Sequence, residues 1–516
     1  MPSQVQRILS RAKCVIKSIV TLFLGLLFRY VCGGKHECIP PITDLLLLDS
    51  ATASALKIRS RKLKCKTLVE SYINRIKDVE PFINATSDTR YEAALEEAAA
   101  VDKLMEVESL DRLSSLQPLL GVPFTVVGAL AVRGQLHHCG IYTHWSRKAD
   151  SNATAVELLV RAGAVPLAVS NVPELCLGAE TTNHINGHTN NPCDLTRSPG
   201  GCSGGEAALL ASAASVIGLG SDWMGEARLA AAFCGVFAHK PTAGVVSNVG
   251  HYLEFPTELD AFRCIAPMCR CASDLGPVLE VISGSNASAL KLNDEVNIRH
   301  IKWYFLSDVA SHLSGTDQRK AVQKVQTRIE QVHSIKTRAL NIPDLELGFR
   351  LWRAKYIESR GLPWVTRALG SLQGDLSPLF HLPLALLGLS RHTLTAVLAS
   401  IWDDNLDLQA DTQRSLCTVC DDLGRFLDRT LGSDGVLVLP GPQLPPPHHF
   451  QSLLQGTKLF GPLCPFNVIG CPVTMCPIEG AAVQVVACKG NDRLCLAVAA
   501  ELERAFGGWQ SPTPIC

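Results

Sequence analysis

Apolar residues along this chain first form a block and then settle into helical and strand-like rhythms. Near the amino end the run 18–28 (SIVTLFLGLLF) follows Arg7, Arg11, Lys13 and Lys17. It is short against the ~20 residues that a helix needs to cross a bilayer, although Lys17 can snorkel and lengthen it. Arg29 and Tyr30 come next, so no small-x-small cleavage site follows. The segment reads as a single membrane anchor within residues 1–35, spanning the membrane or lying in its interface. If it spans, the basic flank keeps the amino terminus cytosolic and places the body on the lumenal side. Sequons at Asn84, Asn152 and Asn286 would permit glycosylation there.

Beyond the anchor, Leu68, Val69, Tyr72, Ile73, Ile76 and Val79 recur at helical spacing, and Pro81 follows. A second, alanine-rich helix is predicted over 91–105. Short apolar runs at 123–127 and 165–169 read as strands, with a helix over 154–163 between them. Helix and strand therefore alternate, which predicts an α/β fold with a sheet covered by helices. Residues 376–402 are strongly apolar but broken by Pro378, Pro383, Gly388 and Arg391, so two short hydrophobic helices fit better than one spanning helix. The proline-rich run 440–447 reads as an extended loop, 483–487 as a strand and 494–506 as a closing helix.

Composition narrows the classes. With 47% hydrophobic residues in 516, the chain is neither disordered nor fibrous. Its 48 basic residues balance 48 acidic ones, which argues against a nucleic-acid partner, since neutralising phosphates needs an excess of Lys and Arg. Twenty cysteines are scattered without a repeated spacing and read as buried small hydrophobes and free thiols. Cys417 with Cys420, and the cluster Cys264, Cys269 and Cys271, lack a second pair or histidines at zinc-ligand spacing, so neither metal nor cofactor is expected. The pairs His137–His138 and His448–His449 read as solvated loop histidines.

Candidate chemistry concentrates in the most glycine-dense stretch, 198–225. It contains neither a phosphate-binding GxxxxGK[ST] nor a GxGxxG opening a helix after a strand. The string 201–205 satisfies the nucleophile-elbow pattern GxSxG around Ser203, but no partner Asp and His are signalled.

SPGGCSGGE (198–206), GLGSDWMGEARLA (218–230) and FCGVFAHKPT (233–242), with GVPFTV (121–126) upstream and FNVIGCP (466–472) downstream, resemble the ordered motifs of the amidase-signature family. The match runs from about residue 40 to 516, which makes one large domain behind the anchor. The resemblance implies a central mixed β-sheet flanked by α-helices and a Ser–Ser–Lys triad. In that triad a neutral lysine acts as base through a bridging serine, and a second serine attacks the amide carbonyl. Backbone N–H groups stabilise the oxyanion. Members that cleave fatty-acid amides are membrane-associated, carry apolar helices that guide lipid amides inward (376–402 is the counterpart here), and imply a homodimer and an endoplasmic-reticulum or lipid-droplet-like membrane.

Each chemical position departs from the family pattern. The base lysine is Val127, the bridging serine is Cys202 and the nucleophile is Glu226. Trp223 and Met224 replace Ile-Gly in the oxyanion-hole region, which Gly225 completes; only Ser203 keeps a hydroxyl. Valine cannot accept a proton, and loss of a serine nucleophile alone typically costs about a millionfold in turnover. The chain therefore reads as a catalytically inactive scaffold that retains a site for a long-chain fatty-acid amide. The alternative is an active lipid amide hydrolase rebuilt around Cys202 and Ser203. Glu226 itself is either a built-in anion among the N–H donors or a solvated surface carboxylate.

Overall fold

The computed structural model describes residues 37–108, 116–306, 314–360, 364–370, 377–405 and 408–516. The anchor expected within 1–35 lies outside them. Among the described residues no helix is long and apolar enough to cross a membrane.

Among the described residues eleven strands form one mixed sheet: β1 (Thr86–Thr89), β2 (Pro123–Val127), β3 (Val165–Ser170), β6 (Ile217–Asp222), β7 (Phe237–Lys240), β8 (Cys264–Cys269), β9 (Lys302–Leu306), β10 (Arg338–Leu340), β11 (Gly435–Pro440), β12 (Val473–Ile478) and β13 (Ala481–Val486). A separate ribbon pairs β4 (Thr182–Asn183) with β5 (Gly187–His188). The order across the large sheet is β1-β3-β2-β6-β8-β7-β12-β13-β11-β9-β10. Strands β3, β2 and β6 run parallel, β6-β8-β7-β12-β13-β11 alternate antiparallel, and β11-β9-β10 are parallel again. Strands β2, β3, β6, β8, β11 and β12 are buried along their whole length, as helices on both faces require.

The helix Cys65–Ile83 passes through Pro81 instead of ending before it. Pro81 lies in the last turn, and Asn84 then closes the helix in a left-handed conformation with its N–H on Glu80 O. The Asn84 side chain donates to Asn186 O at 2.7 Å and His188 O at 2.9 Å, so this sequon is spent on structure. Asn152 likewise donates to Glu157 Oε2, and Asn286 to Val245 O.

Within 376–402 the described residues form two short helices, Pro378–Leu386 and Leu394–Asp404. The first buries none of its residues, whereas the second buries Ala396, Val397, Ser400 and Asp403. Cys417 and Cys420 lie on the buried face of the helix Ala410–Leu431, and Cys264 and Cys269 lie inside β8. All four act as small core residues.

Candidate functional site: the glycine-rich centre beneath the sheet

The sheet gathers the candidate positions at the ends of two neighbouring parallel strands. Val127 ends β2 and is fully buried; β6 runs beside it, with Val126 paired to Leu219. Strand β6 delivers Asp222 into a tight loop, 223–225, which leads into the helix Glu226–Cys234. Gly225 makes this turn possible. Its φ is 113°, and a side chain there would collide with Leu463.

Glu226 is buried, which excludes the solvated-carboxylate reading. Its side chain turns back over the loop, and Oε2 accepts from Trp223 N and Met224 N, both at 2.7 Å. The other oxygen, Oε1, is buried without a hydrogen-bond partner. Burial pushes the carboxyl up to about 7, and the nearby charge of Asp222 adds to the effect while the two backbone amides oppose it. A carboxylate on adjacent backbone N–H groups has the geometry of an anion in an oxyanion hole.

The loop is held from below by a buried ion pair. Arg228 Nε and Nη2 donate to the two Asp222 oxygens at 3.0 Å each, Nη2 also to Asn467 Oδ1 at 2.6 Å, and Nη1 to Leu463 O at 3.0 Å. Burial works against the Asp222 charge, but Arg228 and Asn467 outweigh it and hold this carboxyl below its ordinary range. The network gives Asp222 and Arg228 a structural role in the motif: they fix the loop's direction.

Cys202 is not a free thiol, contrary to the expectation for these cysteines: it forms a disulfide with Cys176, 26 residues away. Cys176 was missed because a disulfide partner has no local sequence signature. The remaining hydroxyl is occupied as well. Ser203 Oγ donates to Ser221 O at 3.1 Å and accepts from Ser221 N at 2.9 Å, which locks the glycine-rich loop to β6.

The histidines also differ from expectation. His137 and His138 are buried, His137 Nε2 against Ala129 O and His138 Nδ1 accepting from Gly140 N. His448 meets Thr196, and His449 meets Asn190 Oδ1 at 3.0 Å. His251, which the sequence did not flag, lies 2.8 Å from Ser221 Oγ. It is no general base. Arg263 Nη1 sits 2.9 Å from His251 Nδ1, and a guanidinium only donates, so Nδ1 accepts and the proton sits on Nε2, pointed at the serine. Burial and the Arg263 charge hold His251 well below the usual histidine range.

Above the loop lies a cavity of about 370 Å³ lined by Trp223, Met224, Trp352, Tyr356, Leu398 and Trp402, among others, with no charged side chain among the described residues of its wall. Trp223 meets Trp352 edge-on at 5.1 Å and Tyr356 at 5.7 Å. The helix Gly348–Arg360 presents Phe349, Trp352 and Tyr356 on one side, a helical spacing that the sequence carries and that could have flagged this wall.

A sequence profile of the amidase family matches residues 67–304. The chain is 39% identical to zebrafish (Danio rerio) fatty-acid amide hydrolase 2-A, an alignment covering 96% of each protein. The chain belongs to the amidase family. This amidase-family chain is also 38% identical to human (Homo sapiens) fatty-acid amide hydrolase 2, over 92% of each protein. Among solved structures, a fatty acid amide hydrolase superposes with a TM-score of 0.71 at 16% identity, covering 90% of this chain and 86% of that one. A 6-aminohexanoate cyclic dimer hydrolase complexed with substrate gives 0.72 at 21% identity, covering 89% and 97%. At such identities the superpositions establish the amidase fold: a large mixed sheet flanked by helices.

Proposed function

We propose that this amidase-family chain is a membrane-associated lipid-amide-binding protein without amide hydrolase activity. The observation that carries the reading is Glu226, whose carboxylate fills the pair of N–H groups on Trp223 and Met224 that an amide's developing oxyanion would need. Val127 offers no base, and Cys202, at the position of the bridging serine, is tied up in a disulfide. The uncharged, aromatic-walled cavity suits an acyl chain. A bilayer would supply such a ligand, and the helix Pro378–Leu386, with Leu379 72% and Phe380 65% exposed, suits docking to a membrane surface. Residence at an endoplasmic-reticulum or lipid-droplet-like membrane, through a single amino-terminal anchor, and homodimerisation belong to the same proposal.

The rival, a hydrolase rebuilt around Cys202 and Ser203, finds both sulfur and hydroxyl already engaged. The deciding experiment incubates purified chain with oleamide, measuring binding by titration calorimetry and free oleate by mass spectrometry. The expected result is binding with no turnover, and no labelling by a fluorophosphonate probe. Hydrolysis that disappears on Cys202→Ala or Glu226→Ala would overturn the proposal.

A further inference from the structure

The Cys176–Cys202 disulfide joins the glycine-rich loop to the turn that leads to the cavity wall. On one side Cys202 sits in the glycine-rich loop, deep in the core. Ser203 is bonded both ways to Ser221, and Gly201 lies so close to the Glu226 backbone that a side chain there would come within 2.7 Å of Glu226 O. On the other side Cys176 ends the short turn Glu174–Cys176. Leu175 and Cys176 adopt φ values of 63° and 56°, a left-handed backbone that non-glycine residues hold only when their surroundings impose it.

The same turn grips the cavity wall. Glu174 is buried; its Oε1 lies 2.8 Å from His392 Nδ1, and Oε2 accepts from Thr393 N at 2.7 Å. Thr393 then caps the helix Leu394–Asp404, accepting from Ala396 N at 3.2 Å. That helix brings Thr395, Leu398, Ala399 and Trp402 to the cavity, and Leu177 and Gly178, next after Cys176, line it too. A continuous path therefore runs from the core through the disulfide and Glu174 to the helix that forms the wall. Apart from the disulfide, the turn is tied to neighbouring segments by bonds such as Leu175 N to Cys139 O at 2.9 Å.

We propose that this disulfide is a thiol-controlled latch: oxidised, it fixes the helix Leu394–Asp404 against the cavity, and reduced, it lets that wall loosen. Reduction is a dithiol exchange. A dithiol's thiolate attacks one of the two sulfurs, with Cys176 the less buried residue; a mixed disulfide forms, and the second thiol closes the reagent into its own disulfide. Two electrons pass from the dithiol to the pair, two protons end on Cys176 and Cys202, and a disulfide donor reverses the step. The position that relays a proton in catalytic relatives thus serves here as a cross-link. Only the ligand arm of the test rests on the lipid-binding reading.

The test follows backbone hydrogen exchange over residues 174–179 and 392–402 in the full-length chain, before and after dithiothreitol, with alkylation and peptide mass spectrometry to score the cysteines. The expected result is that Cys176 and Cys202 resist alkylation until reduced, and that reduction brings a loss of exchange protection in both segments. Cys176→Ser should show the same loss without reductant and no further change with it. Equal protection in both redox states, or alkylation of both cysteines in untreated protein, would overturn the latch. If Cys176→Ser fails to fold by circular dichroism, the wild-type comparison decides alone, because it changes no side chain other than the bond. Oleamide titration of both forms separates the two readings. Weaker binding after reduction supports both; a change in protection with no binding in either form leaves the latch and removes the lipid.

Discussion

Glu226 and Glu206 are both buried acids, yet they do different things. Glu226 accepts from two backbone donors, the N–H groups of Trp223 and Met224. On the proposed reading a serine here would be a hydroxyl without a base, so Glu226→Ser should remain without oleamide turnover and without fluorophosphonate labelling, a result read by gel fluorescence. Glu206, from the glycine-rich motif, is buried against β2 and β6, accepting from Thr125 Oγ1 at 2.5 Å. Burial pushes it up to about 8, against the hydrogen bond from Thr125 that favours the charge. Its folded value therefore lies above the unfolded one of 4.5, and the folded state holds a proton that the unfolded state has released. That contribution to stability is complete below pH 4.5 and is lost as pH rises through about 8. The thermal midpoint should accordingly fall across this window, and Glu206→Gln should flatten the slope. At this scale the sequence singled out Val127, Cys202 and Glu226 by their places within the motifs. The partners Cys176 and His251 were not, because nothing local marks a residue that is met only after the chain returns.

Among the elements, the loop from β6 to the helix Glu226–Cys234 depends on Arg228. Both charges of the Asp222–Arg228 pair are fully buried. Arg228→Met would leave Asp222 and Asn467 facing an apolar side chain, and should cost about 3–5 kcal/mol in urea unfolding, as breaking one half of a buried pair does. The helix Gly348–Arg360 carries a comparable structural load through Trp352, stacked on Tyr356 at 5.1 Å. Trp352→Ala should cost about 3–5 kcal/mol by opening the core and should weaken oleamide binding in the same titration. Element existence was largely legible because periodicity and turn residues are local properties. Helix ends were less so: Pro81 did not stop its helix, which runs on to Ile83.

For the whole molecule, the ordered motifs pointed to the amidase fold, and among the described residues eleven strands build its central sheet. The distribution of apolar surface is uneven. The helix Pro378–Leu386 and the turn after it expose Leu379, Phe380, Leu386, Leu387 and Leu389, while the neighbouring helix Leu394–Asp404 faces the cavity. Leu379→Ser with Phe380→Ser should reduce co-sedimentation with phosphatidylcholine vesicles while moving the unfolding free energy by less than about 0.5 kcal/mol, because neither side chain packs in the core. Unchanged sedimentation would place membrane attachment elsewhere.

The sequence by itself determined the family and the α/β alternation, because motif spacing and hydrophobic period are written in neighbouring residues. Only the tertiary structure decided that Cys202 meets Cys176, that Glu226 turns inward onto two amides, and that aromatic side chains from separate helices close around one cavity. Each of these depends on which distant segments the folded sheet brings within a few ångströms, and on the burial that follows.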